Sequence, residues 1–195
     1  MSTSVSDVPV GLVDLRFRPL TRDDFGLLST WLSRPHVEPW WREPYDLASV
    51  EERYGPAVDG LEPTEVFVVE QAGRPIGMVQ RYRLDDEPEW RRVMEPTGTP
   101  HEAAGIDYLI GEEGLIGRGI GTEVIVRFVD DTWARYPEVP AIVVNVQQDN
   151  RRSWRALEKA GFSRCWAGEL DSDDPGDQGP SYAYILSRPA EEGCV

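Results

Sequence analysis

Ile116-Gly117-Arg118-Gly119-Ile120-Gly121-Thr122 is a glycine-rich turn that indicates the architecture of this chain. It follows a β-rich run, Ala104–Ile110, and precedes a helical pattern that reaches about Tyr136. A helix that begins at a glycine turn presents unpaired backbone amides and the positive end of its dipole. The glycines let the backbone approach a ligand closely, and Arg118 adds positive charge. The stretch therefore predicts a phosphate-binding turn, although such turns also occur for tight packing alone.

Two common nucleotide-binding folds do not fit this turn. It lacks the Gly-Lys-Ser/Thr ending of a nucleoside-triphosphate loop. It also lies past the middle of the 195-residue chain, whereas a dinucleotide-binding turn belongs to an opening βαβ unit. A phosphate bound here would belong to another kind of cofactor.

The order of elements around the turn indicates the fold class. The alternation or apolar run typical of a strand recurs at Leu12–Leu20, Glu65–Gln71, Ile76–Leu84, Ala104–Ile110, Ala141–Gln147, Phe162–Leu170 and Ser181–Ser187. Helical spacing is found in Arg22–Ser33, after Asp46, after the glycine turn and in Asn150–Ala160. The proline-rich segments 34–41 and 85–102 are predicted as loops, and the second is long enough to overhang a functional site. The chain has a strand hairpin in its first half and strand–helix–strand crossovers in its second half. This order predicts an α/β fold of the α+β type, with a mixed, mostly antiparallel central sheet flanked by helices.

Composition favours a cationic partner. The chain has 35 Asp and Glu against 20 Lys and Arg, a formal charge of -15, which repels nucleic acid and anionic membranes. Solubility alone also explains an acidic balance. Cys165 and Cys194 lack the spacing of metal ligands, and no apolar run fits a signal peptide or a membrane span. We expect one cytoplasmic domain over residues 1–195, with residues 1–10 a disordered lead, 189–195 a tail, and no metal.

Two further motifs frame the glycine turn. Leu15-Arg16-Phe17-Arg18-Pro19-Leu20 precedes it, and Asp149-Asn150-Arg151-Arg152-Ser153, continuing to Glu158-Lys159-Ala160-Gly161-Phe162, follows it. In this order the three resemble the coenzyme A-binding GNAT N-acetyltransferase superfamily over nearly the whole chain. Ile116 departs from the pattern, because it replaces the Gln or Arg usual at the start of the loop. The resemblance implies a GNAT-like acyl-CoA N-acyltransferase fold.

The resemblance also implies how acetyl-coenzyme A would be bound. Leu109 and Ile110 would pair their backbones with the pantetheine arm. The pyrophosphate would be held by the residues of the turn, namely Gly117, Arg118, Gly119, Ile120, Gly121 and Thr122. Asn150 would contact the pantetheine side of the cofactor, and its position before Arg151 equally suits a helix N-cap.

Within the superfamily, the chain is most similar to aminoglycoside 6′-N-acetyltransferases. The matching features are His36-Val37-Glu38-Pro39-Trp40-Trp41, Trp90 in the middle segment, and Gly105-Ile106-Asp107. The similarity implies transfer of an acetyl group to a primary amine of a small cationic molecule, as in antibiotic resistance, with Asp107 receiving the ammonium proton. The chemistry agrees, because a protonated amine cannot attack a thioester until a nearby carboxylate removes its proton.

The candidate acceptor-binding residues combine carboxylates for ammonium groups with aromatic faces for cation–π attraction. They are Glu38, Trp40, Trp41, Trp90, Asp107 and Asn145. The loop Asp171–Asp177 is a further source of charge, as are Glu87 and Glu89. Each type also has a structural explanation, since tryptophans are usually core or loop anchors and scattered acids are usually solvated.

Two positions depart from the aminoglycoside enzymes. Leu157 stands where they commonly have a tyrosine poised to protonate the leaving thiolate, so the general acid is open. Asn145 stands where they tend to carry a substrate-binding aspartate, and it can accept a hydrogen bond from an ammonium but offers no charge.

Two other hypotheses are open at this point. The siderophore-biosynthesis acyltransferases act on a hydroxylysine-type amine and share Pro35-His36-Val37, and Trp154 and Asn145 suit them. They usually carry a histidine on the strand where this chain has Asp107, which ranks them second. The third hypothesis is a non-catalytic domain that binds coenzyme A or a cationic partner. The natural acceptor, the acyl chain length and the choice between monomer and homodimer are not indicated by the sequence.

Overall fold

A computed structural model describes residues 14–189. Within them one seven-stranded sheet has the order β1-β2-β3-β4-β5-β7-β6. Its strands are β1 (Leu15–Pro19), β2 (Glu65–Gln71), β3 (Arg74–Arg83), β4 (Ala104–Ile110), β5 (Ala141–Gln147), β6 (Ser163–Glu169) and β7 (Pro180–Ser187). The helices are α1 (Phe25–Leu32), α2 (Glu38–Trp41), α3 (Leu47–Val58), α4 (Pro88–Met94), α5 (Ile120–Arg135) and α6 (Arg151–Lys159).

The centre of the sheet contains an opening. Every strand pair is antiparallel except β4 and β5, which run parallel and pair only through Ala104 with Ile142 and Gly105 with Val143. Both strands continue for several residues beyond these pairs. The edge of β4 from Ile106 onward therefore has no strand partner, and a gap lies between the two central strands. The predicted mixed, mostly antiparallel sheet with flanking helices is confirmed.

The two faces of the sheet are covered by different helices. On one face, Ile106 of β4 packs in a core with Val124 and Phe128 of α5 and with Leu157 of α6. On the other face, Leu109 packs with residues of α1 and α3. Because successive strand residues face opposite sides, β4 sends its odd-numbered and even-numbered side chains into different surroundings. This alternation separates the two halves of the site described below.

The segment 85–102, predicted as a loop, is largely helical, so that prediction is wrong. It contains α4 and two 3₁₀ turns, Leu84–Asp86 and Glu95–Thr97. Pro88 lies in the first turn of α4, where its missing N–H costs nothing. The buried Met94 and the partly buried Trp90 then pack in a small core under α4. Tertiary packing therefore makes a helix of a segment whose composition is typical of a loop.

The segment 34–41 was also predicted as a loop and contains one short helix, α2, with Pro39 in its first turn. The first helix begins with a 3₁₀ turn at Arg22–Asp24, and the Asp24 carboxylate accepts the Thr21 N–H at 2.9 Å, as the capping pattern predicts. Asp46 caps α3 by accepting the Ser49 N–H at 3.1 Å.

Parts of some predictions lie outside the described residues. These parts are residues 12–13 of the first predicted strand, the lead 1–10, residues 190–195 of the tail, and Cys194. Between residues 14 and 189, no helix is long and apolar enough to cross a membrane. The same residues contain no group of three His, Cys, Asp or Glu that could hold a metal ion.

Candidate active site

A cavity of about 350 Å³ lies at the end of β4, beside its unpaired edge. Its walls come from the end of β4, the glycine turn, α6 and the segment around α2. Among the predicted site residues it is lined by Trp40, Trp41, Leu109, Ile110, Gly117, Gly119, Gly121, Thr122 and Asn150. We call it the donor cavity, because it contains the residues predicted to bind acetyl-coenzyme A, the acetyl donor. Structure thus brings together residues that lie in four separate parts of the sequence.

The glycine turn supplies backbone donors to this cavity. Gly117 and Gly119 have φ values of 77° and 83°, in the left-handed region that other residues rarely adopt. Gly119 is the N-cap of α5 and has no side chain to satisfy the first amides of the helix. The N–H groups of the first turn, from Ile120 to Thr122, therefore lack intrahelical partners. The Ile120 side chain is buried in the core, and the Arg118 side chain is exposed. The turn therefore presents backbone N–H groups to a ligand, with the Arg118 guanidinium as a nearby positive charge.

The end of β4 offers peptide groups to the same cavity. The Gly111 N–H donates to the Ile76 oxygen at 2.8 Å, and any side chain at Gly77 would collide with the Leu109 oxygen. By the alternation of an antiparallel ladder, the peptide groups of Leu109 face β3 and those of Ile110 face the gap. The Ile110 oxygen lies 3.0 Å from Nε2 of His36. The Ile110 N–H is thus turned toward the donor cavity.

The start of α6 contributes to the donor cavity the side-chain amide of Asn150 and the hydroxyl of Ser153. The Asn150 Oδ1 accepts the Ser153 N–H at 3.2 Å, so Asn150 is the N-cap of α6 while it also lines the donor cavity. The Tyr108 hydroxyl, reaching across from β4, lies 2.7 Å from the Ser153 Oγ. Burial, the largest influence, raises the pKa of Tyr108, which keeps its hydroxyl protonated. Leu157 is fully buried in the core on the same helix. Tyr108 was not among the predicted site residues, although strand alternation turns it toward α6.

Asp107 lies on the opposite face of β4. Gln80, its partner in the β3–β4 register, donates from Nε2 to the Asp107 Oδ2 at 2.9 Å. Protein atoms surround the carboxyl while the residue remains partly exposed, and this burial raises its pKa to about 6. The Gln80 hydrogen bond and the charge of Arg53 oppose the shift, while Glu43 adds to it. Asp107 is therefore a stronger base than an ordinary aspartate and is still ionised at neutral pH.

Carboxylates from two further segments act on Asp107 or are acted on by it through their charges. Glu43 follows α2, and Asp174 and Asp177 belong to the loop before β7. We call Glu43, Asp107, Asp174 and Asp177 the carboxylate cluster. Burial first, then the charges of Asp174 and Asp107, raise the pKa of Asp177 to about 7. Asn145 donates from Nδ2 to Asp177 Oδ1 at 3.2 Å. Asn145 itself carries no charge, and the loop thus places the carboxylate of Asp177 beside it.

The loop that carries Asp174 and Asp177 is held in place by hydrogen bonds to its backbone. Arg42 donates from Nη1 to the carbonyls of Pro175 and Gln178, each at 3.1 Å. Gln147 of β5 donates to the carbonyl of Gly176. The loop carboxylates also accept hydrogen bonds, Asp174 from the Gly176 N–H and Asp177 from Asn145 and Ser172. A carboxylate can accept about four such bonds, so each keeps acceptor capacity for an external cation.

The aromatic candidates occupy different places. Trp41 donates from Nε1 to the Tyr54 hydroxyl at 3.0 Å, and that hydroxyl donates to Glu43 Oε2 at 2.7 Å, which links the donor cavity to the carboxylate cluster. Trp90 packs beside Tyr82 in the core under α4, and its Nε1 is buried without a hydrogen-bond partner among residues 14–189. Glu38 has an exposed side chain at the start of α2.

Glu43, Gln80 and Arg53 belong to the site and were not predicted from the sequence. Only Gln80 left a usable signal, because the register of the predicted hairpin places it opposite Asp107. Glu43 and Arg53 are brought in by the packing of α2 and α3.

Comparison with known proteins agrees with this geometry. A family model described as an acetyltransferase (GNAT) domain matches residues 21–170. The chain belongs to the GNAT acetyltransferase family. Aminoglycoside N(6')-acetyltransferase type 1 of Klebsiella pneumoniae is 31% identical to this GNAT acetyltransferase over 180 residues, which span 90% of this chain and 84% of the relative. A kanamycin resistance protein of Rhizobium radiobacter is 33% identical over 88 residues, covering 45% and 75% of the two chains.

Solved structures of similar proteins include ligand complexes. The structure of AAC(6')-Ib with coenzyme A and kanamycin matches with a TM-score of 0.73 and 30% identity, covering 90% of this chain and 95% of that one. The structure of AAC(6')-Ib with ribostamycin and coenzyme A matches with a TM-score of 0.74 and 29% identity, covering 90% of this chain and 94% of that one. This GNAT acetyltransferase is thus an acetyl-CoA-dependent N-acetyltransferase, and the predicted enzyme class and cofactor are confirmed. The non-catalytic hypothesis has no support from these comparisons.

Proposed function

We propose that this enzyme transfers an acetyl group from acetyl-coenzyme A to the 6′-amine of an aminoglycoside, with Asp107 as the base. One observation carries the proposal. Asp107 stands among carboxylates with a pKa raised to about 6, while the next residues of the same strand border the donor cavity. The named activities of the relatives support the choice of acceptor.

On the donor side, the backbone does most of the binding. The first-turn amides of α5 and the nearby Arg118 suit the pyrophosphate, and the Ile110 N–H suits the amide groups of the pantetheine arm. Leu109 would contribute to the wall and not hydrogen bonds, since its peptide groups face β3. Asn150 caps α6 with its Oδ1, which leaves its Nδ2 for the cofactor.

On the acceptor side, Asp107 takes a proton from the bound ammonium, and the neutral amine then attacks the thioester carbonyl. The amine loses its second proton as the amide forms, and the departing thiolate gains one, so one proton is released overall. The Tyr108 hydroxyl, held by Ser153 in the donor cavity, is the group we assign to donate a hydrogen bond to the leaving sulfur. No covalent enzyme intermediate is needed, and Cys165 is exposed on β6.

The other ammonium groups of the acceptor would pair with Glu43 and Asp177, with Asn145 holding Asp177 in position. Glu38, Trp40, Trp41 and Trp90 stay predictions as acceptor contacts. We expect the enzyme to act in the cytoplasm as a monomer or homodimer, without nucleic acid or membrane partners.

A direct assay tests the proposal. The protein is incubated with acetyl-coenzyme A and matched pairs of aminoglycosides that carry or lack the 6′-amine, and thiol release is followed. Turnover only with the 6′-amine supports the proposal, and its absence with all aminoglycosides contradicts it. Turnover with a hydroxylysine-type amine in their place would support the siderophore hypothesis.

A further inference from the structure

Arg53 of α3 is a resident cation beside the carboxylate cluster. Its Nε lies 3.5 Å from Glu43 Oε1, and its guanidinium lies over the Tyr54 ring at 5.6 Å from the centroid. Glu43 is held independently, because the Tyr54 hydroxyl donates to its other oxygen at 2.7 Å. Glu43 therefore does not need Arg53 to keep its position.

The contacts of Arg53 are weak compared with those of the structural arginines. Arg81 is 4% exposed and bonds the carboxylates of Glu65 and Asp131, each at 2.6 Å. The Arg53 side chain is 50% exposed and makes no hydrogen bond within residues 14–189. An arginine with one long ion pair and a ring contact can be displaced at small cost. If it is removed, Glu43 loses its cation but keeps the hydrogen bond from the Tyr54 hydroxyl.

The charge of Arg53 reaches several carboxylates. Burial raises the pKa of Asp107, Glu43 and Glu87, and Arg53 acts against that rise in all three. The groups that face Asp107 also include Asp174, Asp177 and the hydroxyl of Tyr82. Among the leading influences on the pKa of Asp107, the cation is Arg53. It therefore occupies the role that an ammonium group of the acceptor would fill.

We propose that Arg53 is a specificity-determining residue that occupies one cation position of the acceptor site and so disfavours acceptors with many ammonium groups. The proposal rests on the proposed function. An acceptor that places an ammonium near Glu43 must displace the guanidinium or bind against its repulsion, whereas one that needs only Asp107 and Asp177 is unaffected. The number and position of amines besides the reacting one thus decide how strongly Arg53 opposes binding.

The test compares Arg53→Gln and Arg53→Lys with the wild-type enzyme. Acceptors share the ring with the reacting 6′-amine and differ in the number of other amines, and kcat and KM are measured for each. With Arg53→Gln we expect KM to fall by about tenfold for the most highly charged acceptor and by less than about twofold for the least charged. Arg53→Lys should resemble the wild type, and kcat should change little for all acceptors.

A pH profile provides a second measurement. Because Arg53 lowers the pKa of Asp107, the acid limb of kcat/KM should move to higher pH in Arg53→Gln and stay in place in Arg53→Lys. The control is Arg16→Gln, which removes the same charge from a side chain that is 71% exposed on β1. An equal change of KM for all acceptors, or an unmoved acid limb, would overturn the proposal.

Direct binding separates this inference from the proposed function. Calorimetry of the same aminoglycosides with coenzyme A-loaded wild type and Arg53→Gln measures affinity without turnover. Tighter binding of the highly charged acceptors to Arg53→Gln supports the role of Arg53 even if no acetyl transfer is observed. Unchanged affinities for every acceptor contradict it, whether or not the wild type is active.

Discussion

The donor cavity and the carboxylate cluster lie on either side of β4 and recognise their ligands by different chemistry. The donor cavity presents N–H groups from a glycine turn and from the open edge of a strand, and its geometry depends on backbone angles. The carboxylate cluster consists of side chains from separate segments, with pKa values shifted by burial. The donor half should therefore respond to backbone substitutions and little to pH, and the acceptor half should respond in the opposite way.

The largest effect is expected on the acceptor side. Asp107→Asn keeps the size of the side chain but cannot take a proton, so kcat with an aminoglycoside should fall about 10²-fold to 10⁴-fold. Coenzyme A affinity, measured by calorimetry, should stay within about twofold because Asp107 faces away from the donor cavity. Turnover close to that of the wild type would exclude Asp107 as the base.

A backbone substitution should affect the donor side alone. Gly119 has a φ of 83°, an angle that alanine disfavours by about 1–2 kcal/mol. The free turn of Gly119→Ala should therefore relax to another angle, and restoring the binding geometry should weaken coenzyme A binding by about tenfold. The matched control is Gly114→Ala, where φ is not positive and an added Cβ meets no atom within 4 Å. Equal affinities of the two variants would contradict the assignment of the turn to the pyrophosphate.

The pH dependence should also differ between the two halves. Because the pKa values of Asp107 and Asp177 are raised to about 6 and about 7, both carboxylates gain protons as pH falls through this range. kcat/KM for the acceptor should therefore decline from pH 7 downward, while coenzyme A affinity stays flat over the same interval. Asp177→Asn should raise KM for the acceptor by a few-fold and remove the upper part of the decline. A parallel decline of coenzyme A affinity would contradict the assignment of this pH dependence to the acceptor half alone.

The smallest effect concerns the hydroxyl pair. Tyr108→Phe removes the hydrogen bond to Ser153 and should lower the free energy of unfolding by about 1 kcal/mol. If the hydroxyl also assists the leaving sulfur, kcat should fall several-fold, and Ser153→Ala should lower stability similarly with a smaller loss of kcat. Denaturant unfolding and thiol-release kinetics distinguish the two roles, and a kcat equal to that of the wild type would leave Tyr108 a purely structural residue.

The same division explains which parts of the site could be predicted from the sequence alone. The glycine turn and the Asn150 cap depend on residues close together in the chain, so their positions could be predicted from spacing. The carboxylate cluster could be predicted only through Asp107, because Glu43 and Asp177 reach it through the packing of α2 and of a loop held by Arg42. α4 was missed for a related reason, since its helix depends on the burial of Met94 and Trp90 more than on local propensity.

The opening between β4 and β5 has a consequence for the apo protein. A strand edge with unsatisfied amides is normally a liability, because it can pair with another chain, and proteins keep such edges short or covered. Here the edge lies in the middle of the sheet, where α5 and α6 shield one face and His36 already occupies the Ile110 oxygen. A ligand that pairs with the remaining groups would act as a missing strand, so amide hydrogen exchange at Ile110 should slow when coenzyme A binds.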